Sequence, residues 1–201
     1  MIMDISRPCT AFAGMRRIAS GPLIDVALAV KAALDGGDGT AIQIFDDASG
    51  KAIDLDLRGN AAEITARLTG APLQQNGPEA QKGRGRPRMG VVAREVTLLP
   101  RHWDWLGAQP GGASQALRRL IDQARRADDG RTGTRLAHER AYCFMSALAG
   151  DLPGFEEAAR ALFKGDAEKL ALEMAAWPQD VRQHVMKLDS DTPQDERAAL
   201  A

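Results

Sequence analysis

Residues 1–69 carry a hydrophobic pattern that predicts a small unit of strands and helices. After Pro22, apolar residues recur at the three- and four-residue spacing of an amphipathic helix. Over 52–58, apolar residues alternate with Asp54 and Asp56, which is typical of a strand with one buried face. The predicted elements are a strand over 9–19, a helix from Pro22, strands over 40–45 and 52–58, and a helix over 60–68 that Asn60 caps. This order is a β-α-β-β-α unit.

Residues 70–93 interrupt the pattern with glycine, proline and basic residues, which predicts a flexible basic linker. A six-residue strand over 94–99 follows, and then a helix over 101–108 and a second helix for which Ser114 is the predicted N-cap. The second helix has an apolar face, and its opposite face carries Arg118, Arg119, Arg125 and Arg126. We therefore predict a strand-helix-helix module over 94–127.

The rest of the chain is predicted to be helical. Glycine and proline residues separate four segments of helical periodicity, over 135–149, 153–163, 167–176 and 180–188. Together they form a helical region over 135–189, and the polar tail 190–201 is expected to be disordered. The expected fold class is α+β, with the N-terminal unit, basic linker, strand-helix-helix module and C-terminal helical region in that order.

Charge is unevenly distributed along the chain, although the net charge is only −1. Residues 82–126 contain ten basic and three acidic side chains, a net charge of +7, which leaves −8 for the remainder. A basic segment in an otherwise acidic protein indicates a polyanionic partner, either DNA or RNA.

A short arginine-rich sequence, Arg84-Gly85-Arg86-Pro87 followed by Arg88, lies within this basic segment. It resembles the AT-hook, a motif that binds the minor groove of A·T-rich DNA. Glycine lets the backbone approach the groove closely, proline keeps it extended, and narrow A·T tracts attract arginine. The resemblance implies that these five residues contact DNA. The alternative is a basic linker that improves solubility.

The strand-helix-helix order over 94–127 resembles the ribbon-helix-helix family of dimeric DNA-binding domains. The resemblance implies a ribbon formed by one strand from each subunit, which enters the major groove. It places Thr97 on the reading face of the ribbon and Ser114 at a phosphate-binding helix N-terminus. The arginines of the module, Arg94, Arg118 and Arg119 among them, are expected from their charge to contact phosphates. The resemblance also implies a homodimer core formed by Trp103, Leu106, Leu117, Leu120 and Ile121.

The pattern leaves open which face of the 94–99 strand points inward. We favour Val96 and Leu98 inward, which leaves Glu95, Thr97 and Leu99 outward and assigns most of the affinity to phosphate contacts. The opposite assignment turns Arg94, Val96 and Leu98 outward. A third interpretation is an ordinary helical hairpin whose arginines are only solvated.

Four stretches, 9–20, 46–59, 85–126 and 141–163, together resemble a bacterial family of uncharacterised proteins, a domain of unknown function. The resemblance implies a bacterial cytosolic setting and no particular activity. Two isolated cysteines, the absence of a signal-peptide pattern and the shortness of the longest apolar run also favour a cytoplasmic protein with no membrane partner.

The sequence therefore favours a DNA-binding homodimer, a transcriptional regulator or nucleoid-associated factor that prefers A·T-rich double-stranded DNA. We expect no enzymatic activity, cofactor or metal, because no nucleophile-base pair or metal-ligating group is apparent; the three histidines are scattered, and Asp46 and Asp47 fit a hairpin turn. The alternative is a protein-interaction or antitoxin-like protein that binds a partner through its helical C-terminal region.

Overall fold

The computed structural model describes residues 4–37, 39–70 and 94–190. They belong to two compact units. The larger unit combines Met1–Leu73 with Arg131–Ala201, and the inserted unit is Gln74–Gly130. Along the sequence, the segment predicted to bind DNA is therefore an insertion between the two halves of the larger unit. Most of the predicted linker 70–93 and all but the first residue of the predicted tail 190–201 lie outside the described residues.

A four-stranded antiparallel sheet forms the centre of the larger unit. Its strands are β1 (Pro8–Ala13), β2 (Arg16–Pro22), β3 (Ile42–Asp46) and β4 (Ala52–Ile53), in the spatial order β2-β1-β3-β4. Thr10 of β1 lies opposite Ser20 of β2 and opposite Phe45 of β3. β1 thus occupies the interior of the sheet, and every one of its residues after Pro8 is buried.

Two strand predictions are corrected by the sheet. The single strand predicted over 9–19 is a hairpin, because Gly14 takes a left-handed conformation (φ +56°) that turns the chain back. The strand predicted over 52–58 is paired only at Ala52–Ile53. Its alternation of burial nevertheless continues, since Leu55 and Leu57 pack against the core while Asp54 and Asp56 are exposed. The unit is consequently β-β-α-β-β-α.

One face of the sheet is covered by α1 (Leu23–Asp35), on which α2 (Ala61–Thr69) packs. Cys9, Ala11 and Ile44 point from the sheet towards Leu23, Val26 and Val30 of α1. The predicted N-cap of α2 is confirmed: the Asn60 side chain accepts a hydrogen bond from the backbone N–H of Glu63, and the Glu63 carboxylate accepts one from the backbone N–H of Asn60.

The other face of the sheet carries Phe12 and Phe45, which pack against the C-terminal helices. These helices are α5 (Arg131–Leu148), α6 (Phe155–Lys164), α7 (Ala167–Glu173) and α8 (Gln179–Ser190). The helical region predicted as a separate part therefore shares one core with the N-terminal strands. Alternate residues of β1 and β3 pack against helices on opposite faces of the sheet. The unit is therefore a three-layer α–β–α sandwich.

Gly50 shows how closely the two halves of the larger unit approach. It lies in the β3–β4 turn at φ +67°, and a Cβ placed on it would come within 1.8 Å of the backbone oxygen of Arg140 in α5. Glycine is required here both by the backbone angle and by the neighbouring helix.

The inserted unit contains the helices α3 (Pro100–Gly107) and α4 (Gly112–Asp128), which pack against each other. Among its described residues, only Leu106 and Ala116 are buried. Residues 94–99 form no strand within the single chain, so the predicted ribbon strand is not observed there. The two helices predicted for this module are both present, and the chain as a whole is an α+β protein.

Candidate nucleic-acid interface

The arginines of α4 are the feature of the inserted unit with the clearest chemistry. Arg118, Arg119, Arg125 and Arg126 are all exposed, and none forms an ion pair with any described residue. Arg119 alone has a described partner, since its Nη2 donates to Oε1 of Gln109 at 3.5 Å. Residues seven apart lie nearly one above the other on a helix. Arg118 and Arg125 therefore lie in one row along α4, and Arg119 and Arg126 lie in a second row. The rows offer guanidinium groups that form no ion pair with a carboxylate of the described residues, including that of Asp122 one turn away on the same helix.

The other predicted DNA contacts fall into two groups. Arg84, Gly85, Arg86, Pro87 and Arg88 lie outside the described residues, so their role stays a prediction. Arg94 and Thr97 are both exposed before α3, where they remain accessible to a ligand.

The favoured parity of 94–99 is not observed in the single chain. Val96 is 56% exposed and Leu98 is half-buried, although both were predicted to point inward. Apolar side chains of a ribbon strand acquire an inward face only when a second strand pairs with it, and none of the described residues pairs with 94–99.

The start of α4 differs from the prediction. The helix begins at Gly112, and its N-cap is Gly111 in a left-handed conformation (φ +81°), so Ser114 lies inside the first turn and is not the cap. Two glycines allow the tight turn after Gln109 that starts the helix early. No side chain caps α4, and its first turn contains no acidic residue. Its first backbone N–H groups and the positive end of its dipole thus have no anionic side chain beside them.

The net charge of the inserted unit is smaller than the segment 82–126 suggests. Over 74–130 there are ten basic and six acidic side chains, a net charge of +4, because Glu79, Asp128 and Asp129 enter the sum. Over 94–130 there are six basic and five acidic side chains, a net charge of +1. Excess positive charge is therefore concentrated in residues 82–88, and the helical hairpin contributes locally clustered arginines.

The inserted unit also exposes a large share of its apolar side chains. Six are between 39% and 56% exposed: Val96, Leu99, Trp103, Trp105, Leu120 and Ile121. A two-helix hairpin with so few buried residues cannot supply its own core. Clustered exposed apolar groups of this kind are typical of surfaces that contact a partner.

The larger unit contains a buried polar cluster at the contact between the sheet and α8. Asp47 accepts a hydrogen bond from Thr10 at 3.1 Å and forms a 2.7 Å ion pair with Lys187 through the same oxygen, Oδ2. The Thr10 hydroxyl lies 3.0 Å from the hydroxyl of Ser20. His184 is fully buried beside this cluster, with its Nε2 3.6 Å from Oδ1 of Asp47, beyond hydrogen-bond distance.

The ring of His184 is held among aromatic side chains. Its centroid lies 5.4 Å from that of Phe12 and 4.6 Å from that of Phe144, both edge-on. Burial lowers the pKa of His184 to about 4; the Asp47 carboxylate opposes this shift, and Lys187 and Arg17 add to it. His184 is therefore a neutral imidazole in the core. Because its side chain is completely enclosed and offers no surface to a ligand, we assign the cluster a role in packing.

Comparison with known proteins assigns the chain to a family. A family model described as "Uncharacterized protein conserved in bacteria (DUF2239)" matches residues 8–189. The chain belongs to the DUF2239 family. The match spans both structural units. No match to this chain is found among curated proteins or among solved structures.

In this DUF2239 member, the sequence predicts the arginines of the candidate interface but not the buried cluster of Asp47 and His184. The arginines of α4 are visible as a local run on one helix. Asp47 and His184 are predicted only as a turn residue and a scattered histidine, because no local pattern joins them. Within the described ranges no group of three or more potential ligands is placed to hold a metal ion, and no helix is long and apolar enough to cross a membrane.

Proposed function

We propose that this protein binds double-stranded DNA through its inserted unit, as a transcriptional regulator or nucleoid-associated factor without enzymatic activity. The observation that carries the proposal is the set of exposed α4 arginines that have no ionic partner in the described chain. Two exposed arginines of the larger unit do form ion pairs, Arg135 with Glu139 and Arg160 with Glu157. Guanidinium groups left available on one helix suit the phosphates of a duplex.

Two further parts would complete the interface. The AT-hook-like residues Arg84–Arg88 would enter the minor groove of A·T-rich DNA, where narrow grooves attract arginine. The start of α4 would receive a phosphate, since it has no side-chain cap hydrogen bond and its first turn contains no acidic residue. Most of the affinity would then depend on ionic contacts and fall steeply with salt.

The proposal includes a homodimer. A second copy would pair its residues 94–99 with those of the first and cover Trp103, Leu120 and Ile121, which are exposed in one chain. Because the hairpin alone buries so little, pairing would supply the missing core. A cytoplasmic setting, and a protein partner for the C-terminal helices, stay predictions.

The test is a titration of labelled A·T-rich and G·C-rich duplexes at several salt concentrations, with binding followed by fluorescence anisotropy. Each phosphate contact contributes about −0.9 to the slope of log K against log salt. The double variant Arg118→Ala/Arg125→Ala should lower the magnitude of the slope by about two units, and Arg86→Ala by about one. Arg160→Ala removes an arginine that is paired with Glu157 and should leave the slope unchanged.

Several results would reject the proposal. A chain that binds neither duplex would reject it, as would a double variant that behaves like Arg160→Ala. A chain that dimerises without binding either duplex would favour the alternative, a protein-interaction role. Competition with an RNA duplex of the same length decides which nucleic acid is preferred.

A further inference from the structure

The two tryptophans of α3 lie on opposite sides of the helix and cannot both contact the same partner surface. Trp103 and Trp105 are 43% and 50% exposed, and residues two apart lie about 200° from each other around a helix. Leu106, which is buried, marks the side of α3 that contacts the rest of the hairpin. A second subunit that covers Trp103 together with Leu120 and Ile121 would leave Trp105 uncovered. Dimer formation therefore does not account for the exposed ring of Trp105.

Basic and polar side chains surround Trp105. Arg101 precedes it by one helical turn and shares its side of α3. One turn after it, Gln109 donates from Nε2 to the backbone oxygen of Trp105 at 3.4 Å and accepts from Nη2 of Arg119 at 3.5 Å. Gln109 thus holds the guanidinium of Arg119 close to the C-terminal end of α3. Neither Arg101 nor Arg119 forms an ion pair with any residue the structure describes.

The arginines near Trp105 favour a negatively charged ligand, and the exposed indole ring favours a planar one. Asp104, the acidic neighbour on the same helix, lies about 100° around α3 from Trp105, whereas Arg101 lies about 40° away. An exposed indole, with Arg101 one turn before it and Arg119 linked through Gln109 to the backbone oxygen of Trp105, has the components of sites that bind single-stranded nucleic acids. There the ring stacks on an unpaired base and the arginines contact the neighbouring phosphates.

We propose that Trp105, with Arg101 and Arg119, forms a base-stacking site for single-stranded DNA. The base lies on the indole, and the phosphates on either side of it meet the two guanidinium groups. Bases in an intact duplex are already stacked, so this site takes unpaired DNA, in addition to the duplex contacts of the other arginines. The inference rests on the proposed function only for its choice of DNA as the partner.

The test uses the full chain with Trp103→Phe, so that Trp105 and the buried Trp177 are the remaining tryptophans. An oligothymidine single strand should quench the fluorescence of Trp105 to saturation. Heparin, a polyanion without bases, should not quench it. In the same background, Trp105→Leu should weaken binding of the oligothymidine about tenfold, measured by anisotropy, while Trp105→Phe retains most of the affinity because its ring still stacks.

Circular dichroism shows whether each variant keeps its helices, including those of the inserted unit, and the emission of Trp177 shows that the larger unit is folded, since Trp177 lies in its core. Equal affinity of Trp105→Leu and its parent overturns the inference, and so does quenching by heparin to the same extent as by DNA. Binding of the single strand without binding of either duplex supports the stacking site and rejects the proposed duplex function. Duplex binding without any effect of the Trp105 substitutions supports the duplex function and rejects the stacking site.

Discussion

His184 links the stability of the larger unit to pH. Its ring is fully buried between Phe12 and Phe144, and burial lowers its pKa in the folded chain to about 4, against 6.5 for an exposed histidine. Between these values the unfolded chain binds a proton that the folded chain does not. The free energy of unfolding must therefore fall as the pH drops below 6.5, and the contribution of His184 is lost as the pH approaches 4.

The size of the effect follows from the two pKa values. Each unit of difference corresponds to about 1.4 kcal/mol, so the contribution lost between pH 7 and pH 4.5 is about 2.5 kcal/mol. This is a large fraction of the stability of an ordinary domain. Asp47, Lys187 and Arg17 are the charged groups that act on the ring, and of these only Asp47 favours its protonation.

Urea unfolding at pH 7 and at pH 4.5 measures this contribution. The variant His184→Phe keeps an aromatic ring in the same site but cannot bind a proton, so it should lose about 2.5 kcal/mol less than the parent over this pH range. Trp177 fluorescence in a chain with Trp103→Phe and Trp105→Phe reports on the larger unit alone.

The control is His102→Gln, which removes an exposed histidine of α3 in the inserted unit; the larger unit should lose as much stability with falling pH in this variant as in the parent. An equal loss in His184→Phe and the parent would show that the buried imidazole is not the group responsible.

Two further predictions concern positions where the backbone decides the outcome. Gly50→Ala should lower the free energy of unfolding by at least about 2 kcal/mol, because the new Cβ would meet the backbone of Arg140. The control Gly37→Ala, also at positive φ but in open space, should lower it by about 1 kcal/mol. Equal losses of the two variants in thermal unfolding would contradict the close approach of Gly50 to Arg140. Asn60→Ala should cost about 1 kcal/mol by removing the cap to Glu63, and an unchanged melting temperature would show that the cap contributes nothing.

Local patterns were sufficient for the elements whose cause is local. The periodicity after Pro22 and the cap at Asn60 are encoded within a few residues, and α1 and α2 are found there. The C-terminal helices were predicted to within a few residues at most ends. The strand predicted over 9–19 does contain strand residues on both sides of Gly14, but no local signal distinguished the turn at Gly14 from a continuous strand.

By itself, then, the sequence determined the α+β class, most helices and the run of arginines on α4, because periodicity, capping and charge act between near neighbours. Only the tertiary structure decided that residues on both sides of the basic segment share one core, and that Thr10, Asp47 and Lys187 meet beside a neutral His184. These groups are far apart along the chain. Their contact depends on sheet order and helix packing, for which no short stretch of sequence carries a signal.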